Sequence, residues 1–211
     1  VLRVGEWVNI NQVTNRRPIP IGDIIQIANS ISTVNVVWWN VPHDITDTQA
    51  LSDAQTLRSG LPSTTILVLE YSHEPWNPAL PQHLYFRDKL GDGTMAGAMA
   101  QYVSRAEQIK ALFEFYWPNR LFAALSTDWN DTSISTLVTA NATTFWFYLA
   151  VAARFGESIV VDSSSKSISD ILNECDTDLA GTFQSNLDAH LAIAQTMGAS
   201  ASLASYAGGA G

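Results

Sequence analysis

The chain holds a single cysteine, Cys175, so no disulfide can close within it. Its setting, Asn173-Glu174-Cys175-Asp176, has no His or Cys at metal-ligand spacing, and it reads as a free or interchain thiol. Lysine is nearly as scarce, with only Lys89, Lys110 and Lys166. Eleven basic residues against 20 acidic ones give a formal net charge of −9. A phosphate backbone demands a positive footprint, so nucleic acid is excluded as a partner. The same acidity disfavours anionic membrane surfaces. No apolar stretch approaches the ~18 residues of a membrane-spanning helix, so no membrane insertion is expected. No HExxH or paired-histidine spacing occurs among His43, His73, His83 and His190; His43 and His73, at adjacent strand ends, read as hydrogen-bonding rim residues, and no metal and no cofactor is expected. No glycine-rich phosphate fingerprint comes after the first apolar segment, which argues against a dinucleotide fold. Val1 is preceded by neither Met nor a signal peptide, and a processed or incomplete chain is the expectation.

The residues that are present are enough for one sizeable core. The 211 residues are 46% hydrophobic, and one domain over 1–211 is the simplest reading. An ordinary core can absorb the seven Trp, six Tyr and eight Phe, and flat rings also suit sugar-binding clefts. Short runs rich in β-branched and aromatic residues predict strands at 1–10, 34–41, 65–72, 120–126, 145–153 and 200–206. Between them, helical spacing predicts helices over 21–32, 46–60, 94–116 and 132–142, and one or two more within 167–197. Alternating strands and helices mean βα units around a parallel sheet, about six of them. A closed barrel needs eight strands, and an open doubly wound sheet is the alternative.

In such folds functional residues gather at the C-terminal ends of strands. Those ends supply Glu6, Trp7 and Asn9; Asn40, His43 and Asp44; Ser72, His73, Glu74, Trp76 and Asn77; Asp128, Trp129 and Asn130; Arg154; and Tyr206. Polar and aromatic groups at nearly every end suit a carbohydrate cleft. The sharpest segment is LEYSHEPWN at 69–77, where Pro75 stops the ladder and leaves Glu74 at the rim beside Trp76. Two sequons, Asn130-Asp131-Thr132 and Asn141-Ala142-Thr143, mark expected glycosylation sites and favour a secreted, extracellular or cell-surface location. A glycan on Asn130 would crowd the cleft.

The same residues carry a family resemblance. Glu70-Tyr71-Ser72-His73-Glu74-Pro75-Trp76-Asn77 resembles the fourth strand of the (β/α)8 retaining glycoside hydrolases, and the chain is most similar to uncharacterised secreted members of that clan. Asn40-Val41-Pro42-His43 resembles the strand before it. Leu2-Arg3 and Trp7 resemble the second strand, and Ser205-Tyr206-Ala207-Gly208-Gly209 resembles a seventh strand ending Tyr-Glu-Gly-Gly. The resemblance implies a (β/α)8 barrel of which 1–211 spans strands two to seven, as part of a longer chain or completed by a partner. It implies Glu74 as acid/base and places substrate-binding roles on Trp7, Asn40, His43, His73, Trp76, Asn77, Trp129 and Tyr206. It also places the nucleophile at 207, where this chain has Ala207, and the Asn that precedes the acid/base is His73 here. Retaining hydrolysis needs two carboxyl groups, so a catalytically impaired, carbohydrate-binding or structural protein is expected, with other extracellular chains or copies of itself as further partners. The alternative is an active retaining hydrolase. Glu70 is expected to be an interior charge paired with an Arg such as Arg3, and Asp128 stays a further carboxylate candidate.

Overall fold

The computed structural model describes residues 2–4, 20–31, 34–155, 166–205 and 209–210, with backbone alone for 2–4, 154–155 and 209–210. The strands are β1 (Leu2–Val4), β2 (Val36–Val41), β3 (Ile66–Tyr71), β4 (Leu121–Ser126), β5 (Tyr148–Val151), β6 (Arg154–Phe155), β7 (Ser202–Ser205) and β8 (Gly209–Ala210). Six of them form a parallel sheet in the order β1-β2-β3-β4-β5-β7, and β6 pairs with β8 in a parallel two-stranded sheet. The fold is α/β, as the alternating pattern predicts. The order of the described strands follows the chain without reversing, so among them there is no switch point of the doubly wound type.

The connecting helices start where local chemistry starts them. In α1 (Ile21–Ser30), Pro20 precedes the first turn, and Ile24 and Ala28 are buried one turn apart. In α2 (Asp47–Gly60), the Thr46 side chain accepts from the Gln49 amide, and the helix ends at Gly60 before Pro62. After a short α3 (Pro81–Leu84), the long α4 (Met95–Tyr116) starts from its cap, Thr94, which Asp92 holds in turn. Asp131 caps α5 (Thr132–Asn141) through the Ser133 amide. Ser167 and Asp170 form a reciprocal capping box on α6 (Ile168–Asp178). One wide turn at Leu179–Phe183 then leads into α7 (Gln184–Ala194), so the stretch at 167–197 is two helices run together. Cys175 lies half-buried on α6. Among the described residues no helix is long and apolar enough to cross a membrane.

One element escapes the sequence patterns. A four-residue helix, α3 (Pro81–Leu84), continues into a wide helical turn at Tyr85–Leu90. It is too short to show a period, and only Pro81 in its first turn announces it. The fifth strand begins at Tyr148 rather than at 145, and Phe145 and Phe147 pack edge-on to each other just ahead of it.

The central strands are buried on both faces, as their continuous apolar runs require. On one face Tyr71 stacks on Tyr102 of α4, and Phe86 packs edge-on to both. The Tyr102 hydroxyl also accepts from the Ser126 amide at 2.8 Å. The other face carries Trp38, Asn40, Val68, Glu70 and Ala124, with Asn40 opposite Glu70 and Glu70 opposite Ala124. Glu70 is fully buried and accepts from the Trp38 indole at 2.7 Å. Arg3 lies opposite Trp38 in register; its side chain is outside the described residues.

Candidate functional site

A cleft of about 500 Å³ opens over the C-terminal ends of β3, β4 and β5. Glu74, Trp76 and Asn77 line it from the β3 end, and Asp128, Trp129, Asn130 and Asp131 from the β4 end. Pro78, Met95, Ile134 and Ala152 complete the wall.

At the β3 end the backbone turns sharply. Ser72 and Glu74 both take positive φ, 61° and 44°, a region that costs a residue with a Cβ about 1–2 kcal/mol. The turn is held from outside by α3. The Gln82 amide donates to the His73 carbonyl, and His83 Nδ1 donates to the Pro75 carbonyl at 2.9 Å. Both Gln82 and His83 are buried. Within the turn, Asn77 Nδ2 donates to Glu74 Oε2 at 2.9 Å, and His73 Nε2 lies 3.7 Å from Glu74 Oε1. One side of the carboxylate is thereby oriented, while the Glu74 side chain still borders the cleft.

At the β4 end Asp128 Oδ1 accepts from the Asn130 amide at 2.9 Å. Burial pushes the Asp128 carboxyl above its ordinary value; the Asn130 amide pulls the other way, and the negative charges of Asp131 and Glu74 push it further up. Its two neighbours are fixed by one buried chain of hydrogen bonds. Thr127 Oγ1 meets Ser135 Oγ at 2.8 Å, Ser135 Oγ meets His190 Nδ1 at 2.8 Å, and His190 Nε2 donates to the Trp129 carbonyl at 3.0 Å. The Trp129 ring stacks on the His190 ring at 5.4 Å and 19°, with Phe183 packed against it.

The structure sorts the residues expected at a site. Glu74, Trp76, Asn77, Trp129 and Asn130 come together in the cleft, with Asp128 among them. His73 adjoins Glu74. Trp76 is 8% exposed and Trp129 4%, so each offers a wall edge rather than an open ring face. His43 packs edge-on to Tyr85 at 5.0 Å, and burial lowers its pKa. Asn40 lies inside the sheet face opposite Glu70, not in the cleft lining, and neither polar atom of its side chain finds a partner among the described residues. Trp7, Tyr206 and Ala207 fall outside the described residues. Of the two sequons, Asn130 is exposed at the cleft, whereas the Asn141 amide donates to the Leu137 carbonyl and Thr143 bonds to Glu107.

The two other histidines, His83 and His190, are buried. His83 supports the β3 turn and His190 the β4 loop. Sequence reasoning missed Gln82, Ser135 and these two roles. Pro81 was the available signal for the first pair; nothing local marks the second. No family model, curated protein or solved structure matches the chain.

Proposed function

We propose that the chain is a glycoside hydrolase-like (β/α) barrel segment of an extracellular protein whose cleft binds carbohydrate, with the retaining route to hydrolysis disabled. A parallel sheet whose strand order follows the chain is what a segment of such a barrel requires. The observation that carries the reading is Glu74, oriented by Asn77 at the C-terminal end of β3 in a cleft walled by Trp76 and Trp129. Neutral hydroxyl groups suit the Asn77 and Asn130 amides and the Glu74, Asp128 and Asp131 carboxylates of this cleft. Ala207 stands where the resemblance puts the nucleophile, and alanine cannot form a glycosyl-enzyme bond.

The test is hydrolysis of aryl β-glycosides and polysaccharides by the chain, by Ala207→Glu and by Glu74→Gln, with binding of the same polysaccharides measured in parallel. Binding without turnover, and turnover gained only by Ala207→Glu, is the expected result. Turnover by the unaltered chain through a retained anomer, lost in Glu74→Gln, would overturn the assignment of position 207.

A second reading rests on Asp128. It shares the cleft with Glu74 and comes from the adjacent strand, so a water held between the two carboxyl groups could act directly. Asp128 would protonate the glycosidic oxygen as its bond to the anomeric carbon breaks. Glu74 would take a proton from the water that forms the new bond. Such single displacement uses carboxyl groups ~6.5–9.5 Å apart and needs nothing at position 207. Its signature is an inverted anomer in the first product, seen by proton NMR and abolished in Asp128→Asn.

A further inference from the structure

The strongest unexplained feature is a histidine that never reaches the cleft. His190 is fully buried on α7, a helix that contributes no residue to the cleft lining. A carbonyl only accepts, so His190 Nε2 must carry the proton it gives to Trp129. In the neutral ring Nδ1 then accepts from Ser135, whose oxygen can accept in turn from Thr127. The chain of bonds runs in one direction, and all three side chains are fully buried and partnered. Its two ends attach to Thr127 and Trp129, the residues on either side of Asp128. The Thr127 amide is also tied to the Ala150 carbonyl at 2.9 Å. Of 127–129, Thr127 is thus sealed away, and the Asp128 side chain and an edge of Trp129 are left for the cleft.

We propose that His190 is the positioning residue of the cleft, holding Asp128 and Trp129 in ligand-binding geometry through Ser135, Thr127 and the Trp129 carbonyl. The proposal rests on the carbohydrate reading for its ligand and on the buried chain of hydrogen bonds for its mechanism. It makes α7 the element through which a distant change would reach the cleft. A fully satisfied buried network fixes one loop geometry, and a partly satisfied one does not.

The experiment compares the unaltered chain with Ser135→Ala, His190→Leu and His190→Gln. Each is checked for a cooperative melt. Binding of cellotetraose, xylotetraose, mannotetraose and laminaritetraose is measured by calorimetry, and the Asp128 carboxyl is titrated by carbon NMR. Long-range nitrogen NMR should show His190 as the Nε2–H tautomer. Ser135→Ala and His190→Leu should each weaken the bound tetrasaccharide about tenfold, the worth of roughly one hydrogen bond. Ser135→Ala, which leaves the His190 imidazole in place, should also move the Asp128 midpoint toward that of an ordinary aspartate. His190→Gln, whose amide can still donate to Trp129, should recover part of the lost affinity. Unchanged affinity and an unchanged Asp128 midpoint in folded Ser135→Ala would reduce His190 to a packing residue. If no tetrasaccharide binds the unaltered chain, the carbohydrate reading falls, and the Asp128 midpoint alone then decides the positioning role.

Discussion

The two strand ends that form the cleft hold their carboxylates by opposite means. The β3 end is held by the segment immediately downstream in the chain. Gln82 and His83 reach back nine and eight residues to the His73 and Pro75 carbonyls, and the backbone accepts two positive φ angles to aim Glu74. The β4 end shows no such strain between Thr127 and Asp131; its support comes from His190, 61 residues beyond Trp129. Local support is bought with backbone strain, whereas distant support requires that α5 and α7 dock correctly first. The β3 end can therefore be specified by one short segment, and the β4 end only by the assembled fold.

That contrast can be broken at either end. The largest effect should come from His190→Leu. It leaves the buried Trp129 carbonyl without its partner and the Ser135 hydroxyl with Thr127 alone, a loss of about 3 kcal/mol. Urea denaturation should show it as a lower midpoint at unchanged slope. Gln82→Ala should cost less, about 1–2 kcal/mol, because it orphans one carbonyl at a part-buried turn. Its amide exchange should quicken around 73–77 and not around 127–131, whereas His190→Leu should do the reverse.

The smallest effect concerns charge. Asp128 has a raised carboxyl pKa in the folded state, chiefly through burial. The folded state then holds its proton over a window where the unfolded chain has lost it. Stability from this group is therefore kept at low pH and falls as pH rises from the ordinary aspartate value of 3.8 through the raised one. Asp128→Asn, which keeps an acceptor for the Asn130 amide, should raise Tm at pH 7 and lose that advantage below about pH 4. Solvent reaches this half-buried group, so the gain should stay under about 1 kcal/mol. Thermal melts at pH 7 and pH 3.5 measure it. An equal gain at both would remove the electrostatic contribution from the comparison.

Legibility followed the same divide. Strands β2 to β4 and helices α2, α4 and α5 could be read from apolar runs and caps, because continuous burial and the Thr46, Thr94 and Asp131 caps are local facts. Glu74 could be read as a rim residue because Pro75 ends the strand in the sequence itself. The short α3 could not, since four residues carry no period. His190 was legible as a residue type but not as a partner. Its ring is satisfied by Ser135 and Trp129, and no spacing rule links positions so far apart. Trp76 and Trp129 looked like sugar platforms by type, yet packing turned both largely inward.

Asn40 has a consequence for anyone who would engineer this scaffold. Its amide is buried on one face of the sheet with neither end bonded among the described residues, next to the buried Glu70. An apolar side chain of similar size would remove about 1–3 kcal/mol of desolvation penalty there. A thermostabilisation campaign would accordingly converge on this position early, outside the cleft lining. Whatever function declined in the hardened variants would reveal what the wild-type amide was kept for.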